Sequence, residues 1–195
     1  MAKGSWSATV YDAAKRYRAE TGTSAFAYSD NGATKVHGDL DPRGVTRECR
    51  DSAGHPESVP IAVWVDVTGS MREVPRKLQA RLPALLGLLL RKGYAADPEI
   101  MFAAVGDATC DKAPLQVSQF EADNTMDDQL GKLYLEGGGG GQQTESYELA
   151  LYFMARHVDT DAWDKRRHRG YLFVIADEMA YPKVKAREVD RKSVV

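Results

Sequence analysis

Cysteine is scarce in this chain of 195 residues, which has two, Cys49 and Cys110, far apart and without C-x-x-C spacing. That excludes a disulfide-dense scaffold and a cysteine-rich zinc module, and two reduced thiols suit a reducing compartment. The four histidines, His37, His55, His157 and His168, share no ligand spacing with one another, so a zinc centre has no support. A strong charge of one sign is also missing. Lys and Arg number 26 against 28 Asp and Glu, a net charge of −2 that gives no general attraction to nucleic acid or an anionic membrane. The basic run between Asp164 and Gly170 is short and lacks the interleaved aromatics of a nucleic-acid patch. No apolar run approaches the length of a membrane span, and the first residues, MAKGSWSATVYDAAKRYR, lack the apolar core of a signal peptide. The expected localisation is cytoplasmic.

What is present is ordinary globular material, 43% apolar and 28% charged, enough for one domain with a decorated end. Residues 1–58 are expected to form an extension packing on the main domain, 59–195. In it Ser7 to Ala19 has helical spacing, and Asp30-Asn31-Gly32 between two short apolar or β-branched runs predicts a hairpin. From Pro60 the period changes. The order reads strand (Ile61 to Asp66), helix (a stripe from Val74 to Leu89, stopped by Gly93), strand (Glu99 to Val105), and edge strand (Leu115 to Glu121). Two helices, from Thr125 to Leu135 and Glu145 to His157, precede a last strand, Tyr171 to Ala176. This order predicts an α/β fold with a mostly parallel sheet and an N-terminal helix and hairpin extension. The last strand is expected at a sheet edge that self-association, an added partner strand or the extension covers.

The segment PIAVWVDVTGSM, Pro60 to Met71, carries the chemistry. A buried strand runs into Asp66-Val67-Thr68-Gly69-Ser70, a carboxylate followed by hydroxyls two and four residues on. These are oxygen ligands for a hard divalent cation at the carboxyl end of a strand, where open α/β sheets bind ligands. Two further pieces follow in order, a glycine-rich hydroxyl loop, GGGGGQQTESYELAL (Gly137 to Leu151), and a strand ending in a carboxylate, GYLFVIADE (Gly170 to Glu178). Together they resemble the metal-ion-dependent adhesion site (MIDAS) of von Willebrand factor A domains, whose first motif is D-x-S-x-S, with Thr68 replacing the first Ser. The resemblance covers about Pro60 to Tyr181 and is closest to a bacterial and phage group of cytoplasmic A-domain proteins.

The resemblance implies a doubly wound fold of the A-domain type, C-terminally short because the helices and strand that usually follow the third motif have no counterpart. It implies a site for Mg²⁺ (or Mn²⁺ or Ca²⁺) on Asp66, Thr68 and Ser70, on Thr144 or Ser146 from the second loop, and on Asp177 from the third. Glu178 and Asp107 are outer candidates. It further implies a binding module rather than an enzyme, an adaptor capturing an Asp or Glu of a protein partner, within a bacterial or phage assembly, stress or AAA+ ATPase-linked system. Each hydroxyl also has a plainer use as a turn or helix cap. Asp66, at a strand's end, is expected to serve the site rather than the core, so that its loss leaves the fold largely intact. A different class stays open, because DVTGS also resembles the D-x-T-G-T of haloacid dehalogenase phosphotransferases, with Asp66 as nucleophile and Mg²⁺ beside it. The required Lys motif and the G-D-x-x-x-D form are not evident. The glycine run is expected to loop over the site.

Overall fold

A computed structural model describes residues 4–71, 73–137 and 143–189. The chain is mixed α/β, with mostly parallel sheet pairing. Its strands are β1 (Arg47–Cys49), β2 (Val59–Asp66), β3 (Pro98–Val105), β4 (Leu115–Val117), β5 (Thr144–Glu145), β6 (Val158–Thr160), β7 (Tyr171–Ile175) and β8 (Met179–Ala180). Its helices are α1 (Ala8–Thr21), α2 (Ala27–Asp30), α3 (Val74–Lys92), α4 (Thr125–Gly131), α5 (Tyr147–Arg156), α6 (Asp161–Arg166) and α7 (Ala186–Glu188).

The main sheet has four strands in the order β4-β3-β2-β7. β2 pairs in parallel with β3 and β7, and β4 adds an antiparallel edge. β2 and β3 are buried along almost their whole length, which explains their near-continuous apolar sequences, IAVWV and IMFAAV. Side chains alternate between two cores. Ala62, Trp64, Met101 and Ala103 meet Leu149, Ala150 and Phe153 of α5 on one face. Ile61, Val63, Val65 and Phe102 meet Met126 and Leu130 of α4 on the other, together with Phe26 and Leu40 from the N-terminal region and Val74, Leu78 and Leu89 of α3. Burying a Leu-, Ile- or Phe-sized side chain in this way contributes about 1.5–3 kcal/mol.

The N-terminal region is held on this body. Ser7 caps α1 through its side chain, the Tyr11 hydroxyl donates to the Gln79 carbonyl at 2.9 Å, and Arg18 pairs with Asp127 at 2.7 Å. The expected hairpin is not there. Phe26 sinks to full burial in the core, and the residues after it close helical bonds, Asp30 N–H to Phe26 O and Asn31 N–H to Ala27 O, forming α2. Tertiary burial of one aromatic outweighs a local turn signal, although Gly32 adopts the positive φ expected of it, 84°. Two small parallel pairs, β1 with β6 and β5 with β8, complete the pairing.

β7 lies at the sheet edge, and among the described residues no strand pairs with its outer side. Gly170 leads into it because the backbones approach closely there, where an added Cβ would lie 2.6 Å from the Pro60 carbonyl oxygen. The expected glycine loop over the site falls at 138–141, outside the described residues.

Candidate functional site

The parallel strands β2, β3 and β7 end on one rim of the sheet, and the loops leaving them, with the segment entering α5, form the candidate site. After β2, Asp66 turns the chain. Its Oδ1 accepts the Thr68 N–H at 2.8 Å and the Thr68 hydroxyl at 2.6 Å, an Asx-type turn leading into a 3-10 turn over Gly69–Met71. Its Oδ2 accepts the Tyr147 hydroxyl at 2.5 Å. Asp66 is 0% exposed and therefore part of the interior, which corrects the expectation that its side chain serves the site rather than the core. Ser70 is exposed, and its hydroxyl donates to Asp177 Oδ1 at 3.3 Å, tying the first loop to the third.

The second loop reaches the third through β5 and β8, which place Thr144 opposite Met179 and Glu145 opposite Ala180. It reaches the first at Gly137, whose N–H lies 3.4 Å from the Val67 carbonyl. Thr144 is half-buried in β5. Ser146 is fully buried at the N-cap position of α5, but its hydroxyl makes no cap bond there. It accepts the Ala108 N–H at 2.9 Å, while its own N–H donates to the Gly106 carbonyl. Ser146 thus braces the loop after β3, and Thr144 is the hydroxyl left on the strand beside the third loop.

Asp107, at the end of β3, is buried and holds its own loop. It accepts the Thr109 N–H and hydroxyl at 2.8 and 2.7 Å and the Tyr181 hydroxyl at 3.1 Å, and its N–H donates to Asp111. Tyr181 thereby ties the segment after β8 to the β3 loop.

Glu145, Tyr147, Asp111 and Tyr181 escaped the sequence reading. Tyr147 carried a faint signal, since its spacing to Ala150 places it on the inward side of α5 at the strand ends. Glu145 is 4% exposed, and its Oε2 has no hydrogen-bond partner. Burial, then the charges of Asp66, Asp107, Asp111 and Glu178, push its carboxyl up to about 8. Burial also raises Asp111, against the hydrogen bond it accepts from the Asp107 N–H, and the charge of Glu136 adds to the rise. The rim is thus a partly buried concentration of acidic groups.

A hydroxyl that donates its proton to a carboxylate keeps its lone pairs for a cation. Thr68 with Asp66, and Ser70 with Asp177, both have that form, so the donor set fits a hard divalent ion bound through oxygen. Among the described residues no three His, Cys, Asp or Glu side chains are grouped to hold a metal ion. A cation here depends on the hydroxyls as much as on the two carboxylates.

Compared with protein-family models, with curated proteins and with solved structures, the chain matches none. No helix among the described residues is long and apolar enough to cross a membrane.

Proposed function

We propose that this chain is a metal-dependent protein-binding module of von Willebrand factor A type, with a doubly wound sheet and a MIDAS at its rim. The observation that carries the reading is the Ser70 to Asp177 hydrogen bond, which joins the first and third motifs although they are 107 residues apart in sequence. The β5–β8 pair brings the second motif beside them. Asp66, Thr68, Ser70, Thr144 and Asp177 would hold Mg²⁺, with Ser146 supporting the loops from beneath. When bound, Mg²⁺ offers an open coordination position to a carboxylate of a partner's Asp or Glu. The protein's own part is to hold two hydroxyls against two carboxylates and to gather acidic groups whose mutual repulsion a cation relieves. An adaptor role for a cytoplasmic assembly, stress or AAA+ ATPase-linked system follows from the resemblance and from no contact described above. Nothing in the geometry favours the phosphotransferase alternative, since its nucleophile, Asp66, is fully buried and engaged by three donors.

Calorimetry with MgCl₂ and MnCl₂ on chelator-stripped protein tests the proposal. The expected result is one saturable site per chain, weakened at least about tenfold by Ser70→Ala, which removes a ligand oxygen without touching the core. An absence of saturable binding, or binding indifferent to Ser70→Ala, sinks it. A phosphomonoester panel run alongside should show no turnover; turnover lost in Asp66→Asn would replace this reading with the phosphotransferase one.

A further inference from the structure

We infer that His55 is a protonation-controlled clasp, which holds the segment from Gly4 to Trp6 on the body while its imidazole carries two protons and releases it when one leaves. His55 is 7% exposed and sits in a tight loop, where Ser52 and His55 exchange backbone hydrogen bonds. Its Nε2 lies 2.7 Å from the Gly4 carbonyl oxygen, and its Nδ1 meets Asp97 Oδ1 in the turn between α3 and β3. A carbonyl and an ionised carboxylate only accept, so both ring nitrogens must carry hydrogen for both contacts to be bonds. Moving the shared proton onto Asp97 leaves the count the same. With one proton fewer, a bare nitrogen lone pair faces either the carboxylate or the carbonyl, and one of the two contacts turns from attraction to repulsion.

The clasp closes on a segment that is otherwise lightly held. Gly4 is wedged between His55 and Asp123, where an added Cβ would collide with the Asp123 carboxylate. Trp6 packs on the core that contains Met126 and Leu130 of α4, with its ring 5.4 Å from that of Tyr11. After it, the Ser7 N–H donates to Asn124 at 2.9 Å and the Asn124 amide donates back to the Ser7 carbonyl at 3.0 Å. Tyr11 and Arg18 anchor α1 independently, so release hinges at Ser7 and withdraws the Trp6 indole alone. The charged groups around the imidazole are Asp97 and Glu99 on the β3 side and Asp123 beyond Gly4, with the Cys49 thiol beside Glu99. Asp51, on the loop of His55, is taken up by Lys165 and Arg166. Burial works against the imidazolium, and Asp97, the Gly4 carbonyl and Glu99 together raise its pKa. A raised value keeps the clasp closed below about 6.5, the ordinary histidine value, and opens it as pH rises through the folded value.

Protein labelled with ¹⁵N-histidine and 5-fluorotryptophan, followed by NMR from pH 5.5 to pH 9, tests this, with the Trp6 signal assigned through Trp6→Phe. Wild type is expected to show both His55 nitrogens protonated at pH 5.5. The Trp6 fluorine signal should then move with the same midpoint as the imidazole, as the released population rises by about tenfold or more on loss of a charge-assisted hydrogen bond. His55→Ala should give the released signal at every pH. Asp97→Asn should give the closed one at every pH, because its amide donates to a bare Nδ1 while its oxygen keeps the Glu57 N–H, which satisfies a neutral imidazole at both ends. In that variant Nδ1 should be unprotonated at pH 8. A Trp6 signal that stays still while His55 titrates overturns the inference. So does a wild-type His55 that is neutral at pH 5.5 or keeps both protons through pH 9, or an Asp97→Asn protein that opens with pH as wild type does.

Discussion

Asp66→Ala should unfold at much lower urea than wild type and bind no divalent cation, whereas Asp66→Asn should keep most of the stability and still lose the cation. The reason lies in the three donors aimed at this one buried carboxylate, the Thr68 N–H, the Thr68 hydroxyl and the Tyr147 hydroxyl. Alanine leaves all three without an acceptor. A buried donor so stranded costs about 1–3 kcal/mol, and since Thr68 can relax toward the rim, a total loss of about 3 kcal/mol is expected. Asparagine keeps Oδ1 for both Thr68 bonds and offers its amide to the Tyr147 oxygen, which turns from donor to acceptor. What it removes is the negative charge, and with it the means to hold a doubly charged ion beside Asp177. Urea denaturation gives the stability and calorimetry with MgCl₂ the binding. Wild-type stability in Asp66→Ala would mean that these bonds contribute little. Wild-type Mg²⁺ affinity in Asp66→Asn would remove Asp66 from the site. A carboxylate that holds the loop and balances the cation couples the two properties, which the sequence alone presented as separate.

The framework was legible in the sequence because its signals are long. IAVWVD is a buried run bounded by Pro60 and a polar turn, the stripe from Val74 to Leu89 has helical spacing, and the crossover between β2 and β3 is long enough to demand parallel pairing. Short elements carried no such signal. Arg47–Cys49 and Val158–Thr160 pair across 111 residues on three positions each, too few for a period to appear. The hairpin expectation failed at Phe26, whose destination in the core no local pattern encodes. At the site the order of carboxylates and hydroxyls was readable, since each closes a strand or opens a helix. The division of labour was not. That Ser146 serves a backbone N–H of the β3 loop, and that Tyr147 reaches Asp66, depends on how α5 packs against the strand ends. Glu145 was passed over because a carboxylate between two candidate hydroxyls looks like solvated loop until the β5–β8 pairing encloses it.

Acidification from pH 8 to pH 5.5 should stabilise the protein, and Glu99→Gln should remove a defined share of that gain. The rest comes from groups such as Glu145 and Glu148, whose carboxyls burial also raises, to about 8 and about 7. Glu99 is 0% exposed at the amino end of β3, opposite the rim that carries the site, and neither carboxyl oxygen has a hydrogen-bond partner. Burial, against opposing contributions from the Cys49 thiol and His55 and with a smaller push from Asp97, raises its carboxyl to about 7. The ordinary glutamate value near 4.3 applies to the unfolded chain. Between those values the folded state binds the extra proton. The stability from this group is therefore fully present below about 4.3 and is lost as pH rises through about 7. At about 1.4 kcal/mol per pKa unit, the carboxyl accounts for roughly 4 kcal/mol across the whole window, a little over half of it above pH 5.5. Neighbouring His55 adds to the same trend. Burial works against its charged form, the contacts with Asp97 and the Gly4 carbonyl and the charge of Glu99 together outweigh burial, and its raised pKa likewise gives stability that fades as pH rises. The ion-paired carboxylates Asp30, Asp41 and Asp51 are held below the ordinary range by Arg76, Arg43 and Arg166 respectively, so they lose their contribution only at lower pH. Urea melts at pH 5.5 and pH 8 decide the matter. Glu99→Gln, isosteric with the protonated acid, should exceed wild type by roughly 1.5 kcal/mol at pH 5.5 and by roughly 3.5 kcal/mol at pH 8, so that the gap widens by roughly 2 kcal/mol over that range. Its Mg²⁺ affinity should be unchanged, because the group lies at the other end of the sheet. Equal destabilisation at both pH values would mean that Glu99 is ionised and satisfied in the fold, and the cause assigned to the pH dependence would fall.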